Sequence, residues 1–143
     1  MNDVVAIFRE YVASPTVSLD FQDSEREFAG LPGKYAEPEG CILLALDAGV
    51  VMGCAALRPV NTATCELKRV YVRPAARGQQ TGRRLVEHII RVARNRGYAT
   101  MALDVLPEFV AAQQLYASLG FKPAAAVSHN PIPGTQFLAL ELG

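Results

Sequence analysis

The chain has no apolar run of about eighteen residues, so no segment of it reads as a membrane-spanning helix. Residues 1–9 lack the basic start and apolar core of a secretion signal. Together these absences set the expectation of a cytoplasmic protein with no membrane partner. Cysteine is scarce: Cys41, Cys54 and Cys65 come with no C-x-x-C pair, and no histidine cluster accompanies them. That pattern argues against a metal centre or a disulfide, and for buried reduced thiols in strands. The dinucleotide turn G-x-G-x-x-G is absent, as is the G-K-[ST] end of a nucleoside-triphosphate loop. There is no internal repeat, low-complexity tract or second domain, so residues 1–143 are read as one domain.

Half of the residues are hydrophobic, enough at this length for a sizeable core. Formal net charge is zero, but its distribution is uneven. Residues 68–96 hold nine of the fourteen Lys and Arg and one acid, Glu87. A local basic stripe suits a small ligand bearing several phosphates. It does not suit nucleic acid here, since the chain is not basic overall and carries no nucleic-acid module. Arg91, Arg94 and Arg96 are read as a solvated helix face.

Residues 66–84 organise the rest. Val70 and Val72 alternate with Tyr71 and Arg73, the period of a strand. Pro74 cannot donate to a ladder and stops it. Arg77-Gly78 opens a turn, and from Gln79 the spacing becomes helical, with Leu85, Val86, Ile89, Ile90, Val92 and Ala93 on one broad face. A strand that feeds a glycine turn into a helix N-terminus is an anion-binding device. The first N–H groups of a helix lack intrahelical partners, and the dipole adds about half a positive charge there. Gly78 and Gly82 admit a ligand close to the backbone. Arg77, Arg83 and Arg84 add charge.

This stretch resembles the acetyl-CoA signature of the GNAT N-acetyltransferase superfamily, V-x-P-x-x-[RQ]-G-x-G-x-[GA]. Arg77, Gly78 and Gly82 match, and Gln80 stands where the family usually has glycine. A second point of resemblance lies about forty residues on, where Leu115-Tyr116 is followed by Gly120-Phe121, with Ala112 also fitting. Phe109 departs from the pattern, at a position where many relatives carry Asn on the pantetheine arm. The chain also starts almost directly at a helix, so the family's usual first strand is expected to be missing. The strand left at the edge would invite pairing with a second copy into a homodimer.

The resemblance implies an α/β (α+β) fold. Its sheet is mixed and mostly antiparallel, with a parallel, splayed central pair of strands and four flanking helices. The chain fits that scheme. Helical spacing falls at residues 3–13, 20–29, 79–96 and 108–118, and strand patterns at residues 41–46, 50–59, 65–73, 99–105, 121–124 and 135–142. The strands at 65–73 and 99–105 should run parallel, because a helix joins them.

The resemblance further implies that acetyl-CoA is the acyl donor and that no metal takes part. The pantetheine amides would bond to the backbone of Val70, Tyr71 and Val72, close to Phe109 and Ala112. The pyrophosphate would sit on the amides of Gly78, Gln79, Gln80, Thr81, Gly82, Arg83 and Arg84, beside Arg77. A backbone N–H near Val70 would serve as oxyanion donor. Tyr116 matches the family's general acid, and its ordinary pKa of about 10 keeps it protonated at neutral pH. Its alternative is a core tyrosine on an amphipathic helix. Glu66, at the start of the central strand, is the candidate base, and its alternative is a salt bridge to Lys68 or a nearby arginine. Cys65 alternates to the opposite face and has no histidine nearby, which argues against a thiol nucleophile. His88 reads as solvent-facing. Phe21 and Tyr35 fall where relatives cover the acceptor site, with packing under a loop as their alternative. His129 and Asn130 fall in the last hairpin loop, where a turn role for Asn130-Pro131 competes with acceptor binding.

The function expected is therefore acetyl transfer from acetyl-CoA, by direct attack, to the primary amine of a small or amino-acid-like molecule. A protein lysine or N-terminus as acceptor, and a non-catalytic acyl-CoA-binding assembly module, remain the alternatives.

Overall fold

The central strand β3 (Thr64–Val72) pairs on its two sides in opposite senses, and this asymmetry positions everything else. The computed structural model describes residues 1–19 and 23–143. Among them, one six-stranded sheet runs in the order β1-β2-β3-β4-β6-β5. Its other strands are β1 (Cys41–Asp47), β2 (Val50–Pro59), β4 (Thr100–Val105), β5 (Lys122–Pro123) and β6 (Gln136–Glu141). The β1-β2-β3 meander is antiparallel, and so are the β4/β6 and β5/β6 pairs. Only β3 and β4 run parallel, as their helical connection requires.

Among the described residues four α-helices flank the sheet: α1 (Asn2–Ala13), α2 (Ser24–Ala29), α3 (Thr81–Asn95) and α4 (Val110–Ser118). Short 3-10 turns at Gly33–Tyr35 and Pro74–Ala76 add to them among the described residues. Strand alternation sends Cys65, Leu67, Met101, Leu103 and Val105 into the core beneath α3 and α4. The other face carries a second core, where Val4, Ile7 and Phe8 of α1 and Phe28 of α2 meet Cys54 and Ala56. Glu66 and Lys68 belong by alternation to this second face.

Two local departures from regular structure matter. The register of β2 on β3 passes from Cys54↔Tyr71 to Ala56↔Lys68, so β3 holds one extra residue there. Arg69 sits in that bulge with φ 59, a left-handed conformation unusual for a side chain of its size. The parallel ladder is also short. Thr64↔Thr100, Cys65↔Met101 and Glu66↔Ala102 are paired, and the strands part beyond them.

Some boundaries differ from the sequence pattern. Helix α4 begins at Val110, because Phe109 (ψ 67) is not helical. The last hairpin is reduced on one side to Lys122–Pro123, where proline removes a donor from the ladder. The helical stretch expected over residues 20–29 is α2 at its C-terminal end, and residues 20–22 lie outside the described residues.

Candidate active site

The turn after β3 forms the first half of the site. Pro74 ends the strand, the Pro74–Ala76 3-10 turn follows, and Gly78 takes φ 84. Gln80 caps α3 in a left-handed conformation, φ 65 and ψ 16. This explains why the related motif places glycine there: the backbone position is one that only glycine adopts without strain. Arg84 donates its N–H to the Gln80 carbonyl at 3.0 Å. The N–H groups of residues 78–83 find no acceptor among the described residues, which leaves an anion cradle at the start of α3.

Three arginines surround it. Arg77 donates from Nε to the Val72 carbonyl at 3.0 Å, Arg83 to Ser118 Oγ at 2.6 Å, and Arg84 to the Gln79 carbonyl at 2.8 Å. Each keeps further guanidinium N–H groups for a ligand. An open groove of about 750 Å³ starts at this cradle and continues between β3 and α4. Val70, Tyr71, Val72, Arg77, Gly78, Gln80, Thr81, Gly82, Arg83, Phe109 and Ala112 line it, so most of the residues expected at the cofactor meet there. Gln79 and Arg84 flank the cradle without lining the groove.

The second half of the site is the gap between β3 and β4. A small cavity of about 30 Å³ occupies it, lined by Tyr11, Lys68, Arg69, Val70, Asp104, Phe109 and Tyr116 among others. Tyr116 is buried, stacks edge-on against Phe121 at 5.6 Å, and its hydroxyl finds no hydrogen-bond partner among the described residues. Burial raises the pKa of that phenol, and the nearby Tyr11 and Asp104 add to the effect, so it stays protonated. Tyr11 reaches the same cavity from α1, packs near Tyr71 (6.2 Å) and Phe109 (6.3 Å), and is pushed up to about 12 by burial.

Beyond the gap, on the α1 and α2 side of the sheet, lies a row of ion pairs. Arg69, with a side chain 1 % exposed, meets Glu27 at 2.9 Å, and its guanidinium lies over the rings of Phe8, Tyr11 and Phe28. Glu66, 2 % exposed, accepts from Arg58 Nε at 3.0 Å on one oxygen and from Ser128 Oγ at 2.8 Å on the other. Lys68 stands 4.0 Å from Asp104 Oδ1, and Asn130 Nδ2 donates to Asp104 Oδ2 at 2.9 Å. Burial lowers the pKa of Lys68, opposed by Asp104.

The remaining expected residues fall apart. Tyr35 is buried in the second core, with its hydroxyl on Glu27 Oε1 at 3.2 Å, and does not line the groove or the cavity. His129 is exposed, on the loop between β5 and β6. Asn130 holds that loop: its Oδ1 accepts from the Ile132 N–H at 3.1 Å while its amide reaches Asp104. Phe21 lies outside the described residues. The sequence pattern alone did not single out Tyr11, Arg58, Arg69, Asp104 or Ser128. One signal was available for Arg58, Arg69 and Asp104, charges inside strand patterns where apolar residues are expected, and none for Tyr11 and Ser128.

A phosphate cradle at one end and a two-sided gap at the other define a transferase cleft. The Acetyltransferase (GNAT) family matches over residues 4–121, and the chain belongs to that family. An uncharacterized N-acetyltransferase of Schizosaccharomyces pombe is 38% identical over 144 residues, covering 99% of this chain and 88% of the relative. The N-acetylaspartate synthetase of Mus musculus is 32% identical over 110 residues, covering 76% of this chain and 37% of that protein. Among solved structures, the acetyltransferase yncA of Salmonella typhimurium, determined with its cofactor acetyl-CoA, has a TM-score of 0.70 at 26% identity, covering 99% of this chain and 88% of that one. The protein is thus an acyltransferase of the N-acetyltransferase type, with acetyl-CoA as acyl donor. No cluster of three or more His, Cys, Asp or Glu is placed to hold a metal ion among the described residues. None of the described helices is long and apolar enough to cross a membrane.

Proposed function

We propose that the chain transfers an acetyl group from acetyl-CoA to the primary amine of a small, amino-acid-like molecule. The observation that carries this reading is the gap beyond Glu66↔Ala102. It opens the donor groove, on the α3 and α4 face, onto a row of buried charges on the opposite face. The groove and cradle fit the donor: open amide donors and three arginines for the phosphates, then apolar walls at Val70, Val72, Phe109 and Ala112 for the arm. Bound there, acetyl-CoA supplies an activated acyl group and a thiolate leaving group.

The residues of this chain then divide the work. The Val70 backbone N–H stabilises negative charge at the edge of the gap. The free hydroxyl of Tyr116 delivers a proton to the leaving sulfur. Glu66 has one oxygen on Arg58 and the other on Ser128, so the role proposed for it is proton acceptance relayed through the Ser128 hydroxyl. The resemblance to N-acetylaspartate synthetase supports a small amino-acid-like acceptor over a protein lysine. Three buried free thiols support a reducing, cytoplasmic setting. The outer edge of β1 faces no other strand among the described residues and supports a homodimer formed across that edge.

Calorimetry with acetyl-CoA, and with CoA lacking its 3′-phosphate, tests the donor site. Micromolar affinity for acetyl-CoA is expected, with weaker binding of the dephospho form. Binding without transfer to any amine would leave the acyl-CoA-binding assembly module in its place, and no binding would overturn the donor site. Steady-state acetyl transfer to a panel of amines then tests the reaction.

A further inference from the structure

The three ion pairs on the acceptor face are not equivalent. Arg69–Glu27 and Arg58–Glu66 close at 2.9 and 3.0 Å. Lys68–Asp104 stands open at 4.0 Å, the longest ion pair among the described residues, although both side chains are about nine-tenths buried, 9 % and 10 % exposed. No hydrogen bond to Lys68 Nζ is found among the described residues. The ammonium has three donors, no protein acceptor at bonding distance, and only the small cavity it lines in which to meet a partner. Asp104 is half satisfied: Asn130 fixes Oδ2 and leaves Oδ1 directed toward Lys68. Lys68 and Asp104 line the gap cavity with Val70 and Tyr116, and Glu66, Arg58 and Glu27 do not.

We infer that Lys68 and Asp104 form the acceptor subsite, and that its ligand is a free α-amino acid. The inference rests on the acetyltransferase reading above. A group that completes both residues must carry a cation for Asp104 and an anion for Lys68, a few ångströms apart. The ammonium and carboxylate of one amino acid meet that requirement. Asp104 Oδ1 accepts from the amine and holds its nitrogen at the mouth of the gap, facing the Val70 and Tyr116 side. Lys68 donates to the carboxylate and fixes the Cα. The neighbouring pairs, already closed, add no net charge and exclude a second ligand ion. A simple amine would leave Lys68 unmet. A peptide N-terminus would put a neutral amide where Lys68 needs an anion. Both are therefore poor acceptors.

The test measures kcat/KM for acetyl transfer to the L-amino acids, to their decarboxylated amines (alanine against ethylamine, phenylalanine against phenethylamine, leucine against 3-methylbutylamine), and to the tripeptide Ala-Gly-Gly. At least one amino acid is expected to exceed its amine and the tripeptide by ten-fold or more. Lys68→Met is expected to collapse that ratio through KM for the acid, and Lys68→Arg to retain most of it. A ratio near one in the unmodified chain overturns the inference without needing any variant to fold, and leaves the acetyltransferase reading standing. Equal losses for acid and amine in Lys68→Met overturn it as well. Binding of acetyl-CoA with no transfer to either class overturns both readings.

Discussion

Lys68 and Asp104 hold equivalent places on the two parallel strands, each two residues past Glu66↔Ala102, the last bonded pair. In a regular ladder they would stand side by side. Here the strands have parted, and the two side chains approach each other across the opening, 4.0 Å apart. The bulge at Arg69 follows at once and turns Val70 toward the groove. The chain thus places a charge pair, a bulge and the edge of the donor site within three consecutive residues of β3.

Replacing Tyr116 by Phe removes the only feature of the ring that faces the gap without a partner. The expected loss in kcat is about 100-fold, the lower end of what a positioned acid contributes. Affinity for acetyl-CoA should stay within about two-fold, since the ring's packing on Phe121 is retained. Rapid-quench or steady-state kinetics with calorimetry separates the two. Unchanged turnover would take Tyr116 out of the mechanism.

Glu66→Gln keeps the shape of the side chain and removes the charge opposite Arg58. If the amine's proton leaves through Ser128 and Glu66, kcat should fall at least ten-fold, and the rising limb of the pH–rate profile should flatten. Ser128→Ala should give a similar profile. A rising limb retained in both variants would assign the proton to another group.

Gly82 sits on the first turn of α3 with its missing Cβ toward the groove. A Cβ there would lie 3.6 Å from Val72 Cγ2 and 3.9 Å from Leu115 Cδ2, ordinary contact distances. Gly82→Ala should therefore fold, and gain about 0.5–1 kcal/mol from reduced chain entropy. The added methyl occupies the groove wall, so acetyl-CoA should bind more weakly, by about ten-fold. A raised melting temperature together with weakened binding is the expected signature.

Arg69→Met leaves Glu27 facing a buried space without its cation. The expected cost is about 3 kcal/mol or more, read from urea unfolding. The double variant Glu27→Gln, Arg69→Met should recover part of that loss, because it removes the stranded charge. If the double variant were no more stable than the single one, the aromatic stacking on Phe8, Tyr11 and Phe28 would be the larger contribution.

The alkaline limit of stability follows from buried acids that must stay neutral. Burial pushes Tyr11, Cys54 and Cys65 up to about 12, and raises Tyr35 and Tyr116 as well. The folded chain therefore keeps protons that the unfolded chain releases. That stability is fully present below about pH 8.5, the ordinary cysteine value, and is lost progressively as pH rises through about 10 toward 12. The melting temperature should be flat from about pH 7 to 8 and fall clearly by about pH 10.5.

The central strand, the turn and α3 were legible in residues 66–84, because each signal there is local: strand alternation, a stopping proline, a glycine and a helical stripe. The family followed from that stretch and from Leu115-Tyr116 with Gly120-Phe121. The acceptor side was much less legible. Ser128 reaches Glu66 across 62 residues, and Asn130 reaches Asp104 across 26, pairings that no local pattern encodes. The Arg69 bulge was hidden as well, since its sequence continues the strand alternation while its backbone does not. Tyr35 belonged to a loop by composition, and was drawn into the core by a partner on α2, Glu27.

The short seam between β3 and β4 also divides the molecule along its own sequence. One half of the sheet is built from residues before α3 and the other from residues after it, and the chain crosses between them once, through that helix. The ladder pairs at Thr64, Cys65 and Glu66 fasten the two halves at the sheet, with the Ala63 carbonyl accepting from the Ala99 and Thr100 N–H groups beside them. Such a joint is stiff at one end and compliant at the other. Small rotations about it widen the far end, where the phosphate cradle and the gap lie. The residues that should exchange their amide hydrogens most readily in β3 and β4 are those beyond the seam.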